Sequence, residues 1–135
     1  LCGSASNLKA EAVRYAGKVR AAVPMVGGMP VFDAVLLGVE PDGHVASLYP
    51  GQEHLLASSQ LYVACTDPYS GQRCVTMTGT LMLAASRIVL LAVGKDRAGI
   101  VHDVLNSGDT SPLSYIAHHA ADVRLFMDVC AEGGQ

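Results

Sequence analysis

Val31-Phe32-Asp33-Ala34-Val35-Leu36-Leu37, running into Gly38-Val39-Glu40-Pro41-Asp42-Gly43-His44-Val45-Ala46-Ser47-Leu48-Tyr49-Pro50-Gly51, is the stretch on which the reading of this chain turns. Its first half is almost continuously apolar, the pattern of a strand covered on both faces. Asp33 interrupts it near the start, where a carboxylate marks the mouth of a strand more often than a catalytic group. The second half breaks into glycine and proline turns that hold Asp42 and His44 two residues apart. Open α/β sheets keep their ligands where strands end in such loops.

Upstream, the chain reads as an amphipathic helix from Ser6. Ser6 or Asn7 can cap the first amides and Glu11 sits where the helix dipole favours an acid. Leu8, Ala12, Tyr15, Val19 and Ala22 or Val23 form one apolar stripe. Pro24 and Gly27-Gly28 end the helix. The glycine pair precedes a strand instead of joining a strand to a helix, so it reads as a linker and not a phosphate loop.

Downstream, Gln52 to Ser59 reads as a short helix and Leu61 to Cys65 as a strand. Thr66 to Gly71 is loop, Arg73 to Thr78 a short β-branched strand, and Leu81 to Ala85 a short helix or turn. Arg87 to Val93 is the clearest strand, with Gly94 as hinge. Lys95 to Asn106 then forms a helix with Ile100, Val101, Val104 and Leu105 inward, stopped at Asn106-Ser107-Gly108. Pro112 starts a turn, and Val123 to Met127 is a candidate last strand. Strands alternating with helices indicate a mainly parallel, layered α/β sheet.

At 135 residues the chain has the size of one domain, with half of its residues hydrophobic and 16% charged. Disorder is excluded by that composition. A formal charge of −3 argues against nucleic acid but leaves room for a small anionic substrate. The longest apolar run, Ile88 to Val93, has strand length, so no membrane partner is expected. Leu1-Cys2-Gly3-Ser4 shows no basic segment before an apolar one, hence no expected signal peptide. Cys2, Cys65, Cys74 and Cys130 are scattered without a C-x-x-C pair, which fits incidental thiols in a reducing compartment, the cytoplasm.

Two loops leave the carboxyl ends of strands, Gly38–Gly51 and Gly94–Arg97. In the first, His44 is suited to general base chemistry, with an intrinsic pKa of about 6.5. Asp42 can hold its imidazole, and Gly43 lets the backbone turn so that neighbouring amides face a developing oxyanion. The competing reading is a surface turn with an idle histidine. In the second, Lys95 and Arg97 occupy a helix start, where cations are disfavoured unless an anion such as phosphate sits there. A solvated helix start is the competing reading there. Arg73, at the start of a short strand, is a third candidate anion contact. His102, His118 and His119 lack partners at ligand spacing, so no metal is expected. Ser47 lacks the G-x-S-x-G elbow of a nucleophile.

Phe32 to Gly38 and Pro41 to Gly51 closely resemble the signature of the 6-phosphogluconolactonase family. The likeness continues through Arg73 to Thr78, Ala84-Ala85-Ser86-Arg87 and Val93-Gly94-Lys95-Asp96-Arg97-Ala98, and ends near Phe126-Met127-Asp128. Ser47 to Gly51 matches the lactonases; the related glucosamine-6-phosphate deaminases continue there with a Phe-Asn-Glu type of sequence. The resemblance implies a three-layer, mainly parallel Rossmann-like sheet with flanking helices. It also implies hydrolysis of 6-phosphoglucono-1,5-lactone, a phosphorylated sugar lactone, to 6-phosphogluconate in the oxidative pentose phosphate pathway, with no cofactor.

Carried over, His44 is the base, Asp42 its support, Gly43 shapes the site, and Arg73 contacts substrate. Arg97 stands where the family usually has lysine, as an altered phosphate contact. Leu125 stands where an aromatic residue is common. The family's glycine- and threonine-rich phosphate loop and its Asp-Glu-Arg segment find no counterpart, so residues 1–135 resemble the second half of one domain. Such a piece is expected to expose a sheet edge or apolar face. That face would take the first half or a second copy. Alternatives are an amino-sugar-phosphate deaminase or isomerase, and a non-catalytic fragment that dimerises.

Overall fold

Asn7 sets the first helix: its side chain accepts from the Ala10 amide at 3.1 Å, and α1 runs Leu8–Ala22. The computed structural model describes residues 1, 4–106 and 109–132; Cys2 and the proposed helix stop at Ser107-Gly108 lie outside them. Ala12 and Val19 of the apolar stripe are buried. Gly27-Gly28, read as a linker, is the turn of a hairpin between β1 (Met25–Val26) and β2 (Met29–Pro30). Both glycines have positive φ, 57° and 81°, which a two-residue hairpin turn of this hand requires.

The strand expected from Val31 begins only at Val35, as β3 (Val35–Gly38). Before it, the Val31 amide donates to Pro24 and the Phe32 carbonyl accepts from Ser86, so these backbone groups are used outside the sheet. Phe32 packs against both hydrophobic clusters of the molecule, which explains an apolar run longer than its strand. The helix expected from Gln52 shrinks to a single 3₁₀ turn, Glu53–Leu55. An antiparallel pair follows, β4 (Tyr62–Thr66) and β5 (Arg73–Met77), then α2 (Gly79–Leu83), capped by Thr78. β6 (Ile88–Ala92) leads to a 3₁₀ turn, Lys95–Arg97, and α3 (Ala98–Leu105).

Two expectations fail in this region. Leu105 is exposed at the helix end instead of facing inward. Pro112 does not start a simple turn but opens a helix, α4 (Pro112–His119). Ser111 caps it by accepting from the Ser114 amide, so Ser111-Pro112 is a helix-start pair. β7 (Val123–Met127) closes the order.

β3, β6 and β7 form a parallel sheet in the order β3-β6-β7, as the alternating pattern predicts. β4 and β5 stand apart as a separate antiparallel ribbon, on which α1 packs. Val35, Leu37, Ile88, Leu90 and Ala92 point from the parallel sheet into a core shared with Ile100, Val101, Val104, Leu113 and Ile116. Each such side chain contributes about 1.5–3 kcal/mol when fully buried. The strands are not covered on both faces, contrary to the continuous apolar pattern. Within this chain the opposite face carries Leu36, Leu91 and Phe126, exposed by 67%, 44% and 58%. The register puts Gly38 beside Leu91 and Leu91 beside Phe126, so the last two form one apolar row. The expectation of an exposed apolar face is met there.

Candidate active site

The Gly38–Gly51 loop is held by its apolar members. Val45 and Leu48 are fully buried and exchange both backbone hydrogen bonds, at 3.2 and 2.8 Å. Between them Ala46 takes a positive φ of 52°, unusual for a residue with a Cβ and affordable in a loop so firmly seated. The Ser47 amide donates to Thr76 Oγ1 on β5, tying the loop to the antiparallel ribbon. Ser47 thus serves as an anchor, and His44 is lifted to the surface on a rigid base.

Asp42 and His44 meet as expected. His44 Nδ1 lies 2.7 Å from Asp42 Oδ1, which also accepts from the His44 amide at 3.1 Å. A third partner was not foreseen. Tyr69, from the loop between β4 and β5, donates its hydroxyl to Asp42 Oδ2 at 2.6 Å. Partial burial pushes the Asp42 carboxyl up, but the hydrogen bonds from Tyr69, the His44 amide and the His44 ring together carry it below its usual value. An ionised carboxylate only accepts, so the proton of neutral His44 is assigned to Nδ1. Nε2 then carries the lone pair, and no group of the described residues hydrogen-bonds to it. The imidazole lies over Tyr49, ring centres 4.6 Å apart, and Tyr49 meets the edge of Tyr69 at 6.0 Å. The main clefts of the molecule run along α1 and elsewhere, so His44 stands on an open shelf.

Gly43 works differently from the expectation. Its amide donates to the Glu40 carbonyl and the His44 amide is taken by Asp42, so neither points at an oxyanion. Its φ is +77°, and a Cβ there would come within 2.4 Å of the Ser111 side chain. The Gly43 carbonyl accepts from the Leu113 amide at 2.9 Å. Glycine is required because the first turn of α4 presses on the loop, which makes Ser111 and Leu113 part of the support of His44.

Lys95 and Arg97 lie in the 3₁₀ turn ahead of α3, not in its first α-turn. Arg97 is already engaged: Nη2 reaches Glu40 Oε2 at 3.1 Å, Nε donates to the Val39 carbonyl at 3.3 Å, and Nη1 pairs with Asp96. It ties the β6 turn to the β3 loop instead of standing free for an anion. Arg73 is exposed at the head of β5 and none of its contacts joins it to Asp42 or His44. The ribbon that carries it sends Tyr69 to the site. His118 and His119 meet backbone carbonyls of Val104 and Tyr115. Among the described residues no three His, Cys, Asp or Glu side chains cluster as metal ligands, and no helix is long and apolar enough to cross a membrane.

Residues 2–125 match the family described as glucosamine-6-phosphate isomerases/6-phosphogluconolactonase. The chain belongs to this family. A 6-phosphogluconolactonase of Treponema pallidum is 34% identical over 106 residues, 78% of this chain and 42% of the relative. A crystal structure described as the devB protein superposes with a TM-score of 0.87 at 35% identity, covering 95% of this chain and 55% of that one. The 6-phosphogluconolactonase structure from Leishmania guyanensis gives a TM-score of 0.79 at 29% identity, over 93% of this chain and 52% of that one. The chain spans about half the length of the curated relatives it matches. Its parallel, helix-flanked sheet is the Rossmann-like fold of the family.

Sequence reasoning missed Tyr69, Tyr49, Glu40 and Ser111. Asp67-Pro68-Tyr69-Ser70-Gly71 read only as turn punctuation. A tyrosine at the tip of a turn, where it is 71% exposed, was the available signal.

Proposed function

We propose that this chain supplies the general-base half of a domain that hydrolyses 6-phosphoglucono-1,5-lactone to 6-phosphogluconate. The observation that carries the reading is the Tyr69–Asp42–His44 relay, which leaves Nε2 of His44 as an unencumbered base on a strand-end loop. His44 Nε2 takes a proton from water as the oxygen forms a bond to the lactone carbonyl carbon. The tetrahedral intermediate then collapses, the bond from that carbon to the ring oxygen breaks, and the imidazolium returns its proton to the ring oxygen. Asp42 stabilises the imidazolium between the two steps. Gly43 shapes the loop. Arg73 is assigned to substrate contact, and Arg97 to the phosphate, for which the anion competes with Glu40.

The apolar row on the uncovered sheet face supports association with the first half of the domain. The site is best tested by His44→Ala in the full-length protein. Loss of lactone hydrolysis with an unchanged unfolding midpoint is expected, and near-normal hydrolysis ends the assignment of the base. Ammonia release from glucosamine 6-phosphate would replace the lactonase reading with a deaminase.

A further inference from the structure

Cys65 and Cys74 are nine positions apart in a chain that shows no cysteine motif, yet β4 and β5 place them directly opposite each other. Their sulfurs are 3.1 Å apart, and each lies 3.8–3.9 Å from the other's carbonyl oxygen. Flanking hydrogen bonds, Asp67 amide to Gln72 carbonyl and Thr78 amide to Leu61 carbonyl, make this a hydrogen-bonded cross-strand pair. Such pairs hold their Cα atoms about 5.5 Å apart, inside the range that a disulfide spans. Closing the bond needs the sulfurs to approach by about 1 Å, which side-chain rotation supplies without moving the ladder.

We propose that Cys65 and Cys74 are a redox modification site, oxidised by a low-molecular-weight disulfide to a cross-strand disulfide. The Cys74 thiolate attacks one sulfur of the oxidant and displaces the other as a thiolate, giving a mixed disulfide on Cys74. The Cys65 thiolate then attacks the Cys74 sulfur and displaces the second small thiol. Two thiols lose two electrons and two protons, and one oxidant molecule becomes two thiols. Burial and the neighbouring Cys74 sulfur push the Cys65 thiol up to about 12, which suits it to the second, intramolecular step, where proximity offsets a scarce thiolate.

The pair also touches the candidate site. Cys65 is hydrogen-bonded by the Ser47 side chain, and burial, Asp67 and then both sulfurs raise the Tyr49 phenol, the ring beneath His44. The bond would close the loop that carries Tyr69, between Thr66 and Arg73.

The test uses the chain with Cys2→Ser and Cys130→Ser, so that only the pair can react, treated with oxidised glutathione and then with a dithiol. The expected result is loss of both titratable thiols, a mass lower by two hydrogens, a peptide joining Cys65 to Cys74, and full reversal by the dithiol. In the further variant Cys65→Ser, Cys74 should instead stop as a stable glutathione adduct. Retention of both thiols, or stable adducts with Cys65 present, would overturn the proposal. The same reaction on the otherwise unaltered chain provides a readout that needs no cysteine replacement in the pair's surroundings. Absence of the Cys65–Cys74 peptide there counts equally against it.

Discussion

The β3 loop and the β6 turn leave neighbouring parallel strands at the same end of one sheet, and both carry charge, but they are built to opposite ends. In the β3 loop the hydrogen bonds of Asp42 converge on one carboxylate and leave His44 Nε2 free. In the β6 turn the side chain of Arg97 is consumed by Glu40, Val39 and Asp96. Position at the end of a strand makes a residue a candidate. What its polar atoms already hold decides whether it is prepared for a ligand or serves as a strut.

The largest effect that follows from this contrast is on turnover. Replacing His44 by Ala should lower lactone hydrolysis by roughly 10²- to 10⁴-fold, the usual worth of a general base, measured as kcat/KM. The thermal midpoint should hold, since the His44 ring is a surface group resting on Tyr49. A comparable loss of activity from Arg97→Ala would erase the distinction between the two loops.

Second is Gly43→Ala, which must force a Cβ against Ser111 at a positive φ. We expect a destabilisation of about 1–3 kcal/mol in urea unfolding, with weaker catalysis as His44 loses its seat. An unchanged midpoint would mean that α4 does not brace the loop.

Third, Tyr69→Phe removes the strongest of the hydrogen bonds that lower Asp42. The Asp42 carboxyl should titrate at higher pH, read by carboxyl carbon chemical shift, with a few-fold loss of activity. The direction for stability follows. A depressed carboxyl contributes stability above its unfolded pKa, about 3.9, and loses it as pH falls through the lower folded value. In Tyr69→Phe that loss should come at higher pH than in the wild type, seen in acid unfolding curves. Identical curves would show that Tyr69 does not hold the carboxylate.

The smallest effect is expected from Arg97→Lys. An ammonium keeps the charge but loses the fork that reaches Glu40, Val39 and Asp96 at once. Activity should stay within a few-fold, while the β6 turn loosens in amide hydrogen exchange. Unchanged exchange would show that the guanidinium is not the tie between the two loops.

Much of this was legible because it is local. The Asn7 cap, the β6 strand, the α3 stripe at Ile100, Val101 and Val104, and the Asp42–His44 pairing depend on residues close in sequence, where periodicity and a two-residue spacing carry the information. The misreadings share a different cause. The strand was started at Val31 because Phe32 is apolar, yet Phe32 is apolar for packing between two clusters. Pro112 was taken for a turn because proline opens helices as readily as turns, and the capping by Ser111 depends on where α4 docks. The apolar pattern of β3 could not say whether its second face is covered within the chain.

The residues alone thus established an α/β chain with a parallel sheet and a His–Asp loop at a strand end, since short-range sterics and hydrophobic periodicity act over a few residues. Tertiary structure alone decided that Tyr69 supports Asp42, that Glu40 occupies Arg97, that Ser111 makes Gly43 obligatory, and that Cys65 faces Cys74. Each of these joins residues between nine and 68 positions apart. Such contacts exist only once the ladders and helix packing have set their register, and no spacing in the sequence encodes them.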